Sequence, residues 1–234
     1  MLTVTEALRR RISTRKFRPQ PLAERLVREI LDVARWAPSG GNLQPWKVIA
    51  VAGAERVAIT ELARRIHAAG GPDESTDRPV YPPNLWEPYR TRRYKLGEDL
   101  YALLGIPRSD RAGRLAQFAR NYEMFGAPVE LFFVIDERMG HGQWAHLGMF
   151  MQSVALAALE RGVNSCMQEA WAALRLSLKI HFALDEHELV YCGMALGYAD
   201  ETAAVNSLRS DRAPVEEFAS FRGFAQGFDS SHVS

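Results

Sequence analysis

The stretch Ala34–Gly53, "ARWAPSGGNLQPWKVIAVAG", runs an apparent helix into a polar, glycine-bearing loop and then directly into an apolar strand. Pro38 cannot continue the helix, and Gly40 and Gly41 free the backbone for tight geometry. Asn42 and Gln44 add two side-chain amides, and Pro45 and Trp46 open the strand. A loop needs polarity, but it does not need this concentration of glycine, amide and proline, so a ligand-facing role is expected.

Working outward, the preceding helix begins around Pro21 and carries Leu22, Leu26, Ile30, Val33, Ala34 and Ala37 at helical spacing. Nearer the start, Thr3 and Glu6 fit a capping box for a short helix that runs into the arginines. Three apolar runs read as strands buried on both faces: "WKVIAVA" after the loop, "PVELFFVID" over Pro128–Asp136, and "LVYCGMALGY" over Leu189–Tyr198. The segment Gly142–Gly162 reads as a long helix, apolar on more than one side and closed by Gly162. Residues 70–114 are proline-rich and weakly periodic, which predicts an inserted loop or lid, and residues 200–234 read as a C-terminal arm packing by Phe218, Phe221, Phe224 and Phe228. No repeat or linker divides the chain, so 1–234 is expected to form one α+β domain.

The 234 residues balance 29 Lys and Arg against 28 Asp and Glu, for a net charge of +1. That balance argues against a nucleic-acid binder, despite "RRR" and "RTRRY", and makes any anion site local. No window is long and apolar enough for a membrane span, and the first residues have the wrong order for a secretory leader, so a cytoplasmic protein with no membrane partner is expected. Cys166 and Cys192 lie in apolar surroundings without CxxC spacing and read as buried thiols. The sequence has no GxGxxG after a strand, no GxxxxGK[ST], no HExxH and no GxSxG. The histidines lack a shared helix face, so no metal site is expected.

In "RRRISTRKFRP", Arg9–Pro19, the residues Arg11, Ser13 and Arg15 alternate and would point one way in an extended segment. Two guanidinium forks and a hydroxyl suit a phosphate or a planar carbonyl edge. Far downstream, "NSLRSDRAP" adds Arg209 and Arg212 in an irregular segment. Two arginine clusters that clamp one phosphate, with an amide-bearing loop to read a ring, suggest a phosphorylated, ring-bearing cofactor.

With "RRRISTRKF", "APSGGNLQPW" and "SDRAPVEEF" in this order, and "GVNSCMQEAWA" after the long helix, the sequence resembles the nitroreductase family of FMN-dependent enzymes. The resemblance implies an α/β sandwich with a mixed, mainly antiparallel sheet, assembled as an intertwined homodimer with FMN at each interface. It implies that Arg11, Ile12, Ser13 and Arg212 hold the phosphate end, with Arg209 nearby, and that Arg15 faces the N1 and C2 carbonyl edge of the flavin. From the second subunit, Pro38, Ser39, Gly40, Asn42 and Gln44 would line the ring. The turn at Gln168, Glu169 and Ala170 would offer backbone N–H to N5, although Ala170 stands where the family often has glycine. Hydride would pass from NADH or NADPH to a nitroaromatic or quinone in ping-pong order, with no catalytic side chain required.

Within the insertion, "PPNLWEPYRTRRY" resembles the nitrobenzoate-reductase subset, and Trp86, Tyr89, Arg90 and Tyr94 are the candidate acceptor contacts. Two alternatives remain beside this reading. One is a reductive dehalogenase of the iodotyrosine deiodinase type, for which Glu87 and Tyr94 would serve but "NYEMF" supplies no lysine. The other is a non-catalytic FMN-binding protein.

Overall fold

The computed structural model describes residues 2–71 and 79–224. Helix α1 (Val4–Arg10) starts at the expected capping box: the Thr3 hydroxyl accepts from the Glu6 N–H, and the Glu6 carboxylate accepts from the Thr3 N–H at 2.7 Å. Helix α2 (Glu24–Ala34) begins later than Pro21 and buries Val27, Ile30 and Ala34. After a single 3-10 turn at Gly40–Asn42 comes strand β1 (Lys47–Ala52), followed at once by α3 (Gly53–Ala68). Helix α3 has no counterpart in the sequence reading, because its apolar residues spread around the helix and form no clear stripe.

The later part of the insertion is helical, in contrast to the expected loop, whereas the described residues from 79 to 88 form no regular element. Helix α4 (Tyr89–Leu103) lacks both an apolar stripe and any buried residue, which is why periodicity missed it. Helix α5 (Arg111–Ala119) is capped by Asp110, whose carboxylate accepts from the Gly113 N–H at 2.8 Å. Strand β2 (Val129–Asp136), helix α6 (His141–Glu160), strand β3 (Asn164–Gln168), helix α7 (Arg175–His181) and strand β4 (Glu188–Gly197) complete the regular elements.

The sheet order is β1-β2-β4-β3, and every strand pair is antiparallel. The expected parallel component reduces to one bridge, Ser13 to Ser165. Strand β2 is buried on both faces as its sequence indicates. Strand β1 is not, in contrast to the expected burial on both faces: it lies at the sheet edge, with Val51 its one buried residue, because an apolar run does not encode how many strands flank it. Helices α2 and α6 pack on the face bearing Val129, Leu131, Phe133, Cys192, Met194 and Leu196. On the other face Phe132, Val134, Val190 and Ala195 meet Ile59, Met124, Trp171 and Leu178. The ladder shifts register between Phe133 and Val134, leaving Tyr191 as the extra residue opposite them.

Among its described residues the C-terminal arm has no regular element beyond short 3-10 turns, and Phe218, Phe221 and Phe224 stay exposed on this chain instead of packing against it. Phe228 lies outside the described residues. Both cysteines are buried and free, and burial pushes the Cys166 thiol up to about 11. Among the described residues no helix is long and apolar enough to cross a membrane.

Candidate active site

The segment after α1 is pinned along the sheet's far edge. The Thr14 N–H donates to the Ser165 carbonyl at 3.0 Å, and the Arg15 N–H to Asn206 Oδ1 at 2.8 Å. Asn206 also donates to the carbonyls of Lys16 and Asp200, so one buried side chain ties the N-terminal segment to the C-terminal arm. The extended backbone buries Thr14 and turns Arg11, Ser13 and Arg15 to the other side, as the alternation predicts.

There, Arg11, Ile12, Ser13 and Arg15 share a cavity of about 380 Å³ with Arg209, Ser210 and Arg212. Leu96 of α4 and Leu208 supply its apolar wall. Residues nearly 200 positions apart are thus brought together by the pairing of both chain ends with β3 and the start of the arm. The guanidinium of Arg11 is held below its ordinary pKa, first by desolvation and then by the charge of Arg212. None of Arg11, Arg15, Arg209 or Arg212 forms an ion pair among the described residues, while the neighbouring Asp211 pairs with Lys95 at 2.9 Å. Like charges held together without a carboxylate give this cavity the chemistry to hold an anion.

Arg15 also lines a second, larger cavity of about 930 Å³, so the two cavities meet at its side chain. The guanidinium donates to the Ser13 carbonyl at 3.2 Å, which fixes its direction. Cys166, Gln168, Glu169 and Ala170 form the floor of this cavity. Gln168 is buried and donates to the Asn121 carbonyl at 2.6 Å, and the Tyr122 hydroxyl donates to the Ala170 carbonyl at 3.2 Å. The turn after β3 is therefore held from above. From below it is held by Trp171, which is fully buried against Tyr122 and Phe132. Glu169 has its carboxyl pKa raised by partial desolvation, opposed by Arg175.

Beneath Trp171 lies Glu130 on β2, fully buried. Neither of its carboxyl oxygens, nor the indole N–H, completes a hydrogen bond. Burial pushes this carboxyl well above the ordinary carboxylate range, with Trp171 and Arg56 pulling the other way. The sequence reading missed Glu130, since a lone acid inside an apolar strand carries no motif.

The opening loop does not reach either cavity of its own chain. Gln44 N–H donates to Ser39 Oγ at 2.9 Å, and Gln44 Nε2 to the Asn42 carbonyl at 3.3 Å. Gly40 N–H donates to His146 Nδ1 on α6 at 3.3 Å. Gly41, Asn42 and Gln44 all take left-handed conformations, with φ of 61°, 54° and 49°. Pro38, Ser39, Gly40, Asn42 and Gln44 consequently form a rigid, outward-facing rim beside α6.

The four candidate acceptor contacts also lie outside the large cavity. Trp86 stacks edge-on with Tyr89 and both are exposed, Arg90 pairs with Glu87, and the Tyr94 hydroxyl accepts from Arg108 at 2.9 Å. Arg90 and Tyr94 line a separate cavity of about 560 Å³. The walls of the large cavity are instead Tyr81, Tyr101, Phe118 and Tyr122, with His67 at its edge. Their scatter over three elements left no local signal in the sequence, although Tyr81 and its stacking partner Arg93, 4.1 Å from the ring centre, belong to the same aromatic and arginine mixture.

A profile of the nitroreductase family matches residues 8–198. The chain is 39% identical to the 4-nitrobenzoate reductase of Pseudomonas putida, over 92% of this chain and 93% of that one. It is 34% identical to the nitrobenzene nitroreductase of Ectopseudomonas oleovorans, over 93% and 96%. The fold superposes with a TM-score of 0.90 and 40% identity on the FMN and NADPH-dependent nitroreductase NfnB from sphigopyxis sp. strain HMH, covering 95% of this chain and 100% of that one. With NfnB from Mycobacterium smegmatis in complex with NADPH the TM-score is 0.86 at 29% identity, over 93% and 96%.

Proposed function

The chain belongs to the nitroreductase family, and we propose that it is an FMN-dependent oxidoreductase carrying reducing equivalents from NADH or NADPH to nitroaromatic or quinone acceptors. The observation that carries this reading is the cluster of a half-buried Arg11 with Arg209 and Arg212 around Ser13, opening through Arg15 into an aromatic-walled cavity. A phosphate would relieve the repulsion between Arg11 and Arg212, and a planar ring would fit the neighbouring space. FMN bound there would supply two-electron chemistry, taking hydride from the dinucleotide and passing it to the acceptor.

The protein's own work is binding and electrostatics. Arg11, Ser13 and Arg212 would hold the phosphate, with the Ile12 backbone and Arg209 completing the cradle. Arg15, fixed by its hydrogen bonds, would keep a cation at the carbonyl edge of the ring, where negative charge collects on reduction. The Gln168–Ala170 turn, held by Asn121, Tyr122 and Trp171, would present backbone N–H to the reacting edge. Acceptor protons can come from water, so no acid or base side chain is assigned.

Because Pro38, Ser39, Gly40, Asn42 and Gln44 face away from their own chain's cavities, we infer that a second copy brings this loop over the ring in a homodimer. The residue range 1–234 then acts as one flavin-binding domain, with α4 and the segment leading to it as the variable wall over the acceptor. A cytoplasmic setting, in which the buried thiols stay reduced, accords with this reading. The dehalogenase alternative is not favoured: Glu87 is engaged by Arg90 and by the Thr91 N–H. The non-catalytic alternative is separated by one experiment. Purified protein should carry a yellow chromophore that NADPH or NADH bleaches and a nitroaromatic restores. A colourless protein that takes up no FMN would overturn the reading.

A further inference from the structure

Helix α5 turns itself inside out with respect to apolarity. Leu115 is 69% exposed and Phe118 is 51% exposed, while the residue that α5 buries is Gln117, only 8% exposed. The Gln117 carboxamide is not among the sealed, unpaired polar groups of the core, so it opens onto the space that α5 faces.

Gln117 lines the large cavity together with two other amides, Asn121 and Gln168. Each of those two spends one N–H on a backbone carbonyl: Asn121 Nδ2 on that of Phe118 at 2.8 Å, and Gln168 Nε2 on that of Asn121 at 2.6 Å. The Gln117 carboxamide makes no hydrogen bond to any described residue, and around it stand Tyr81, Tyr101, Phe118 and Tyr122. It is an uncommitted donor and acceptor at the wall of a cavity that these rings share with other polar groups.

We propose that Gln117 is a specificity-determining residue for the electron acceptor, its carboxamide N–H donating to an oxygen of a flat nitroaromatic stacked among these rings. The inference rests on the function proposed above and assigns its acceptor subsite to α5 and its surroundings, not to Trp86, Tyr89, Arg90 and Tyr94. The chemistry selects the direction of the bond. Nitro, quinone carbonyl and carboxylate oxygens only accept, so the amide must present its NH2 side. The aromatic wall provides stacking that is indifferent to ring substituents, and the amide provides orientation.

The test uses the FMN-loaded protein and its variants Gln117→Leu, which keeps the shape and removes the donor, and Gln117→Glu, which keeps the shape and offers only acceptors. Loss of one neutral hydrogen bond should raise KM for nitrobenzene about 3- to 10-fold in Gln117→Leu. Bleaching of the flavin by NADPH and turnover with ferricyanide, which needs no stacking site, should stay at the parent level. In Gln117→Glu the rise should be larger for 4-nitrobenzoate than for nitrobenzene, because carboxylates repel. An unchanged KM for nitrobenzene in both variants, or a parallel loss of ferricyanide turnover, would overturn the role of Gln117 while leaving the flavoenzyme reading intact. A parent protein that binds no FMN or reduces no nitroaromatic would overturn both.

Discussion

Glu130 places a carboxyl where elementary electrostatics least tolerates one, in the middle of a strand buried on both faces. The folded chain holds this proton to a higher pH than the unfolded chain, which releases it near the ordinary value of 4.5. Folded and unfolded chains bind the proton equally below that value. As pH rises past it, stability falls by up to about 1.4 kcal/mol per pH unit until the raised folded-state pKa is reached. Glu130→Gln has no proton to lose, so its stability should decline less than that of the parent as pH rises above about 5, as read by urea denaturation. Parallel declines would show that the carboxyl is not the cause. A second prediction at this scale concerns Arg15. Arg15→Ala should lower the flavin reduction potential and slow turnover, with a modest loss of FMN affinity. A potential equal to the parent's would remove the electrostatic role assigned to this guanidinium. Arg11→Ala, by contrast, should act mainly on FMN affinity, and equilibrium dialysis should show weaker binding with the potential of the remaining complex unchanged.

At the scale of elements, β4 depends on having no side chain at Gly193. A Cβ there would sit 2.3 Å from Glu130 Oε1 and 2.3 Å from Trp171 Cδ1, both deep in the core. Gly193→Ala should therefore cost about 1–3 kcal/mol through overpacking and lower the melting temperature. Gly97 in α4 offers the opposite case, since a Cβ would meet nothing within 4 Å. Gly97→Ala should raise the stability of that helix by about 0.5–1 kcal/mol, and a melting temperature no higher than the parent's would contradict this. Legibility differs sharply between such elements. Strand β2 buries seven of its eight residues and helix α6 seven of its twenty, nearly all of them apolar, so both patterns show in the sequence. Helix α4 is held instead by ion pairs, Arg92 to Glu217 at 2.6 Å and Lys95 to Asp211, which tie it to the arm and leave no periodic signature. Strand β1 carries a core-like apolar run yet lies at the edge, because composition does not encode neighbours.

Across the whole molecule, the outer side of the layer formed by α1, α2, the 40–42 turn and α6 leaves Val4, Leu8, Val33, Trp36, Leu43 and Met149 exposed. Exposed apolar groups on one layer, next to a rigid loop that serves neither cavity of its own chain, support pairing of this face with a second copy. Met149→Arg should then shift the protein to monomers in light-scattering chromatography and weaken FMN binding in the same step. Monomers that retain FMN at parental affinity would separate assembly from the site.

The arginine pair flanking Ser13, the glycine-amide loop, the capping box and the apolar runs of β2 and α6 are legible in the sequence alone. Each of these depends on short-range geometry: alternation along an extended segment, a helix start, a turn that only certain residues allow. Tertiary structure decided everything that required partners from afar. It joined Arg11 to Arg212 through Asn206 and the Ser13 bridge to β3. It moved β1 to the sheet edge, took Trp86 and Tyr89 away from the large cavity, and turned Gln117 into it while leaving Leu115 outside. Local propensity fixes which way a chain bends, but only packing fixes which side chain faces the space that remains.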